Sequence, residues 1–274
     1  MNSKALARAA GLAGLALVFV YPLLYMLAYS LRPVGLPAPR GFELLALPFT
    51  LANYASLARF MPLGLYLWNS LRVAGLAVPL TLLTASWAGL AIVLLPRRER
   101  RVLLGLSLAL LIVPGPALWV PRFVLFASLG LTDTIVPLVA PALLGTSPFY
   151  VLLFYLAFAR IPPELIETAF LDGANLFQVW RRVALPLARP ALIAVAVLSF
   201  TYYWNDYANP LLYLRSEANF TLPLGVQLLE QARRSNFPVL MAACVVLVAP
   251  VALLFGVAQR YFLQGQVALA RWLR

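Results

Sequence analysis

Six apolar stretches, each long enough to cross a bilayer, constrain this chain more than any other feature: Ala9 to Leu31, Asn69 to Leu95, Val102 to about Phe126, Ile135 to Phe158, about Ala191 to Leu214, and Pro238 to Leu263. A helix rises ~1.5 Å per residue and the hydrocarbon core is ~30 Å thick, so about 20 apolar residues make one crossing. In lipid every backbone polar group needs a partner within the protein, which leaves helices as the way to use such runs. The expected fold is therefore an all-α membrane protein with six transmembrane helices. The composition, 63% hydrophobic and only 11% charged, leaves no material for a second soluble domain, and residues 1–274 read as a single transmembrane domain. Lys4 and Arg8 precede the first stretch as they would in a signal peptide, but its run is longer than a usual h-region and lacks an A-x-A cleavage site. It reads as a retained anchor.

The placement of charge sets the expected orientation. With a cytoplasmic N-terminus the inner segments are 1–8, 96–101, 159–190 and 260–274, and they hold thirteen of the 21 basic residues, including the cluster Arg97, Arg98, Arg100 and Arg101. The outer segments hold six, Arg32, Arg40, Arg59, Arg215, Arg233 and Arg234, with Arg72 and Arg122 near or within spans. This asymmetry puts both termini in the cytoplasm of a multi-pass plasma (inner) membrane protein. It also accounts for most of the net charge of +12, which otherwise would suggest nucleic acid; no nucleic-acid partner is expected. The outer segment of about 32–65, with Pro33, Pro37, Pro39, Pro48 and Pro62, reads as an ordered external cap.

Most enzyme chemistry is excluded by what is missing. No His and a single Cys, Cys244, rule out His-rich metal centres, Cys pairs and Ser/His or Cys/His catalysis, so no catalytic residue and no metal site are expected. Of 22 prolines, Pro79, Pro114, Pro116, Pro121, Pro137, Pro141, Pro148 and Pro250 fall in the apolar stretches. Proline frees backbone carbonyls and bends helices, a pattern that suits a transporter and also simple packing.

The most informative segment is about 161–186, from Ile161 to Pro186. Pro162 and Pro163 suit a helix start, with Glu164 and Glu167 near the positive end of its dipole. Gly173 marks a turn, Asn175 and Gln178 have capping-box spacing for a second helix, and Leu185-Pro186 is expected to end it. Both helices carry apolar residues at helical spacing, Leu165, Ile166, Ala169 and Phe170, then Leu176, Val179, Trp180 and Val183. Such residues in a cytoplasmic loop either fold back on the membrane surface and the chain's own spans, or are presented to a groove of a partner.

This loop resembles a known family. Glu167-Thr168-Ala169, three residues, Gly173, nine residues, then Val183-Ala184-Leu185-Pro186 is similar to the EAA loop of ABC importer permeases, with Thr168 for Ala and Val183 for Ile. The likeness extends along the chain through Asn69-Ser70-Leu71, Leu129-Gly130-Leu131-Thr132-Asp133-Thr134, Trp204-Asn205-Asp206-Tyr207, Pro210-Leu211, Phe220-Thr221-Leu222-Pro223-Leu224-Gly225 and Gln259-Arg260-Tyr261-Phe262. These resemble carbohydrate-uptake permeases of the maltose-transporter type, specifically the shorter, six-span permease of the pair. The resemblance implies a type I ABC importer permease fold in a bacterial or archaeal membrane. It also implies a second homologous permease, two ATP-binding cytoplasmic subunits and an extracytoplasmic solute-binding protein, with membrane lipid around them.

The same resemblance assigns roles. Glu167 is the implied polar contact at the ATPase, Ala169 the small residue that lets it dock closely, and Gly173 the hinge; Glu164, Leu165, Phe170, Asp172 and Pro186 complete the coupling set. Arg181 and Arg182 suit acidic groups of the ATPase or anionic lipid. No cofactor is expected on this chain, ATP and Mg being held by the partners, and the chain is a transport subunit rather than an enzyme. Asp206 is the one acid deep in an apolar run, and an intramembrane acid faces protein or a water-filled path. With Tyr203, Trp204 and Asn205 it supplies the aromatic faces and hydrogen-bonding groups that a sugar path needs, or else it braces an outer gate. Asn69 is a further path candidate and equally a helix-packing residue. The expected function is import of a sugar or oligosaccharide. The alternatives are a glycerol-phosphate-type or other polar solute, or a self-sufficient secondary transporter, for which one Asp is a poor set of ion carriers.

Overall fold

The computed structural model describes residues 3–34, 48–232 and 236–272, with side chains placed for 8–34, 48–232 and 236–260. Arg40, Pro37 and Pro39 of the expected external cap, Arg233 and Arg234, and the side chains of Lys4 and Arg271 lie outside the described residues, as does Arg274. Among the described residues there are helices and no strand.

The helices in chain order are α1 (Ser3–Ser30), α2 (Ala52–Phe60), α3 (Leu63–Leu94), α4 (Arg97–Ile112), α5 (Trp119–Ser128), α6 (Val136–Val139), α7 (Pro148–Phe158), α8 (Pro163–Leu171), α9 (Leu176–Val179), α10 (Leu185–Leu187), α11 (Arg189–Trp204), α12 (Ala208–Tyr213), α13 (Leu222–Ala232) and α14 (Phe237–Trp272). Arg8–Ser30, Leu63–Leu94, Val136–Phe158 and Phe237–Arg260 are long and apolar enough to cross a membrane; two bent pairs, Arg97–Ile112 with Gly115–Ser128 and Leu176–Leu187 with Arg189–Trp204, bring the number to six if each pair is one span.

Three sequence expectations need correcting. The third stretch is not one straight helix: it bends by 94° between Ile112 and Gly115, where Val113 is extended ahead of Pro114 and a short 3-10 turn, Gly115–Leu118, leads into α5. A residue before proline is pushed out of the α region, and Pro114 and Pro116 act together here. The fifth stretch ends at Trp204 rather than Leu214, because Asn205 leaves the helix and α12 starts afresh. Leu185-Pro186 does not end the loop helix. A π-helical turn, Trp180–Ala184, absorbs the proline, with the Leu185 N–H reaching back to the Trp180 carbonyl, and the helix runs on to Leu187. A π-helix occurs mostly as a single wider turn of this kind inside an α-helix. The 86° bend follows at Ala188, just before Arg189-Pro190.

Contacts gather the chain into two units. One comprises Met1–Leu65 and Leu222–Pro250. Within it the buried Asn53 of α2 donates to the carbonyls of Ser30 and Arg32 at 2.7 and 2.8 Å, Tyr54 and Ser30 share a hydroxyl bond of 2.6 Å, and Tyr29 meets Phe237 edge-on. These contacts hold the described part of the external segment against the end of α1.

The other unit comprises Tyr66–Thr221 and Val251–Arg274. Its core joins Ala85, Leu90 and Ile92 of α3 to Phe154 and Phe158 of α7 and to Ile166 and Trp180 of the 161–186 loop. Gly89 is the closest point of approach: a Cβ there would sit 2.7 Å from Cβ of Phe154 and 2.9 Å from the backbone nitrogen of Tyr155. Small residues of this kind let two membrane helices touch backbone to backbone. The C-terminal end of α3 thus shares one end of the unit with residues 159–187. At the other end Asn69 reaches the carbonyls of Ala218 and Phe220 at 2.8 and 3.0 Å.

Candidate functional site

The 161–186 loop is built chiefly by its backbone. Pro162 and Pro163 open α8, whose first turn carries Glu164. It closes on Asp172, and then Gly173 takes φ +82°, with its N–H on the Phe170 carbonyl at 3.0 Å and the Ala174 N–H on the Ala169 carbonyl at 3.0 Å. This pair of bonds is a Schellman closure, in which the position after the cap must be left-handed. Gly173 is therefore a turn locked by two hydrogen bonds, at a φ that only glycine adopts without strain. One residue on, Asn175 and Gln178 exchange side-chain and backbone bonds of 2.9 Å each, the capping box expected from their spacing.

With the backbone satisfied, the side chains divide into two sets. Ile166, Val179 and Trp180 are buried in the unit's core and Ala169 packs against it. Leu165 and Phe170 stay exposed, as do Glu164, Glu167, Asp172, Arg181 and Arg182. The reading of packing on the chain's own spans holds for Ile166, Ala169, Val179 and Trp180, while Leu165 and Phe170 are left uncovered by the chain. Leu165 lines a cleft of about 470 Å³ with Arg160, Pro162, Leu187 and Pro190. Sequence reasoning missed Leu171, which is 87% exposed at the end of α8 beside Phe170. A large aliphatic residue two positions before a Schellman glycine was the available signal.

Of the proposed path residues, Asn205 and Asp206 line one pocket of about 480 Å³ together with Thr201, Tyr202 and Tyr207, while Asn69 lines another. Tyr203 and Trp204 are buried; the Tyr203 hydroxyl bonds Thr146 at 2.7 Å, and Trp204 stacks on Phe200. Asn205 is exposed and returns its side-chain N–H to the Thr201 carbonyl at 3.0 Å. Asp206 lies beyond α11, which stops two residues earlier. It organises the first turn of α12, accepting the Asn209 backbone N–H at 3.1 Å and side-chain N–H at 2.7 Å. Burial pushes its carboxyl above the usual carboxylate range, against the pull of those Asn209 bonds. Asn69 has both side-chain N–H groups spent on Ala218 and Phe220, while the pocket of about 260 Å³ beside it is also lined by Arg72, Asp133, Thr134 and Asn219.

Asp133 is the other residue that the sequence named only in passing. It has φ +60°, and its carboxylate accepts the N–H groups of Arg215 and Ser216 at 2.9 and 3.0 Å, the Ser216 hydroxyl, and the Asn219 side chain at 3.2 Å. These donors, the Ser216 hydroxyl first, hold its carboxyl well below the usual carboxylate range. The segment Leu129 to Thr134 is thereby stapled to residues 215–219.

The 161–186 loop thus holds an exposed apolar tip by its own Schellman closure and capping box, in a chain with up to six candidate spans. Residues 77–266 match the family described as the binding-protein-dependent transport system inner membrane component. The chain belongs to this family, and it is the permease type of subunit. It is 33% identical over 258 residues to the arabinooligosaccharides transport system permease protein of Halalkalibacterium halodurans, covering 93% of this chain and 92% of that one. A lactose transport system permease protein of Rhizobium radiobacter is 31% identical over 215 residues, 78% of each chain. The fold is similar, with a TM-score of 0.77 at 24% identity over 94% of this chain and 96% of the other, to a chain of a bacterial ABC transporter involved in the import of the acidic polysaccharide alginate.

Proposed function

We propose that this chain is the permease subunit of an ATP-driven importer for a sugar or oligosaccharide. It forms half of the translocation path beside a second homologous permease. One of two ATP-binding subunits docks on the 161–186 loop from the cytoplasm, where both termini lie, and an extracytoplasmic solute-binding protein delivers the solute at the opposite end. The chain itself holds no cofactor and catalyses no reaction; ATP and Mg act on the partners. Relatives named for arabinooligosaccharides and lactose support the substrate class.

The observation that carries the docking assignment is the exposed tip around Gly173. Leu171 is 87% exposed beside Phe170, with Glu164, Glu167 and Asp172 around it, on a backbone that needs no partner to hold its shape. An apolar knob with an acidic rim fits a groove, and a partner that grips it differently in two states biases the permease between two states. The test is purification of the tagged chain from its membrane in mild detergent, with mass spectrometry of what co-elutes and an ATPase assay. An ATP-binding subunit and a second permease are expected, and binding of the ATP-binding subunit is expected to fail in Leu171→Asp. Recovery of this chain alone, without ATPase activity in several detergents, would favour a self-sufficient transporter instead.

A further inference from the structure

Resting on the reading of the 161–186 loop as the ATPase coupling site, a second question is how a push on that loop reaches the rest of the unit. The covalent route is a poor one. From Trp180 toward Tyr203 the chain passes a π-helical turn, Pro186 and an 86° bend at Ala188, so a force along α9 is not carried straight into α11.

The non-covalent route is short. Trp180 donates its indole N–H to the Ser86 hydroxyl at 3.1 Å, and Ser86 passes its own proton to the Leu83 carbonyl of α3 at 3.1 Å. The indole is held in place by stacking on Trp87, with centroids 5.2 Å apart, and by Phe177 at 5.6 Å. Ser86 is fully buried and Trp180 is 8% exposed, so water does not replace this bond when it breaks. Five residues along the same helix, ~7.5 Å by helical rise, the fully buried Thr81 bonds Thr146, which bonds the Tyr203 hydroxyl near the end of α11 at 2.7 Å. Between these two ties Thr84 bonds the Ala142 carbonyl at 2.7 Å.

We propose that α3 carries the coupling stroke: Trp180 and Ser86 receive it from the loop, and Thr81 with Thr146 delivers it to Tyr203, so that the loop and the far end of α11 move as one body around the bend. These are positioning residues; none of them needs to touch ATP or solute. The arrangement gives Tyr203 and Trp180, both buried and away from the exposed tip, a role in transport that packing alone does not require.

The test uses the complete transporter in proteoliposomes, with its ATPase subunits, second permease and binding protein, and reads ATP hydrolysed per solute imported. Trp180→Phe keeps the stack and removes the N–H; Ser86→Ala and Tyr203→Phe remove the matching hydroxyls. Each is expected to raise the ratio about fivefold, the scale of one lost buried hydrogen bond, at unchanged subunit stoichiometry, and Trp180→Phe with Ser86→Ala is expected to be no worse than either alone. Glu167→Lys serves as the control for the loop itself. A wild-type ratio in the three variants with an uncoupled Glu167→Lys overturns the α3 linkage and leaves the loop assignment standing. A wild-type ratio in Glu167→Lys as well removes the loop assignment and the linkage with it. A ratio that rises only in step with lost subunits assigns these contacts to packing and overturns the proposal.

Discussion

The two ends of the larger unit solve one geometric problem with the same turn and then diverge. At both, a helix closes in a Schellman motif on a glycine with open space around it: Gly173 after α8, and Gly130 at φ +67° after α5, where the Leu131 N–H reaches the Phe126 carbonyl at 2.9 Å. After Gly130 the polar side chains are consumed inside the chain, by Asp133 on residues 215–219, Asn69 on Ala218 and Phe220, and Asp206 on Asn209. Around Gly173 the backbone caps itself, and the acidic and apolar side chains are left facing out. The first end is braced against its own chain; the second leaves a formed surface uncovered, as the proposed docking would need. A rigid backbone with unspent side chains lowers the ordering cost of binding, so the loop presents its contact at little entropic expense.

The sharpest way to break this contrast is at the exposed tip. Leu171→Asp puts a charge where a partner's groove would have to desolvate it, and loss of ATP-binding subunits from the purified complex by more than about tenfold is expected, since one such charge costs several kcal/mol when buried. The same substitution changes no contact within the chain's own core, so insertion in the membrane and thermal stability of the isolated chain should stay at wild-type values. A loss of both together would mean that the tip is held by its own chain and that the two ends do not differ in the way described.

A second test addresses the turn. Gly173→Ala meets open space, so its cost comes only from placing a Cβ at φ +82°, about 1–2 kcal/mol. Gly130→Ala has the same local cost. If the ends differ in purpose, the Gly173 variant lowers ATP-coupled uptake, while the Gly130 variant lowers stability of the chain with coupling unchanged per assembled complex. Thermal unfolding and uptake measured side by side separate them. Gly173→Pro, which also removes the N–H bonded to Phe170, should uncouple more completely than Gly173→Ala.

Much of this contrast was legible in the sequence, for physical reasons that differ by residue. The spans follow from apolar length, and the loop from Pro162-Pro163, Gly173 and the Asn175–Gln178 spacing, because caps and turns are local chemistry. What escaped was long-range. Ser86 and Thr84 look like ordinary small residues of an apolar helix, and only the fold brings them to Trp180 and Ala142. That Asp206 lies past the helix rather than within it was not legible, because a run of apolar letters does not show that α11 ends at Trp204. Pro186 was read as a terminator, since a π turn that absorbs it leaves no mark in the sequence.

A third test sits on the braced end. Asn69→Ala removes two donors at once and leaves the Ala218 and Phe220 carbonyls to find others, which costs about 1–3 kcal/mol where they stay buried. The expected readout is faster amide exchange across residues 214–221 with ATP-binding subunits retained. An equal loss of those subunits would tie the two ends together more tightly than their separate chemistry implies.

The smallest effect concerns pH, and its sign follows from Asp133. Its carboxyl titrates well below the ordinary carboxylate range because it accepts bonds from Ser216, Arg215 and Asn219. A lowered acid contributes its full stabilisation above the unfolded-state value, about 4, and loses it only as pH falls through the folded-state value. Between pH 7 and pH 5 the staple should therefore be indifferent to pH, with exchange at the Arg215 and Ser216 amides constant after correction for intrinsic rates. Protection should fall only in stronger acid. Asp133→Asn keeps the shape but not the charge, and it should weaken protection of those two amides modestly at every pH in that range, flattening the acid dependence. A wild-type staple that already loosens between pH 6 and pH 5 would show that the carboxylate is not held by these donors, and the braced end would lose the feature that most distinguishes it from the loop.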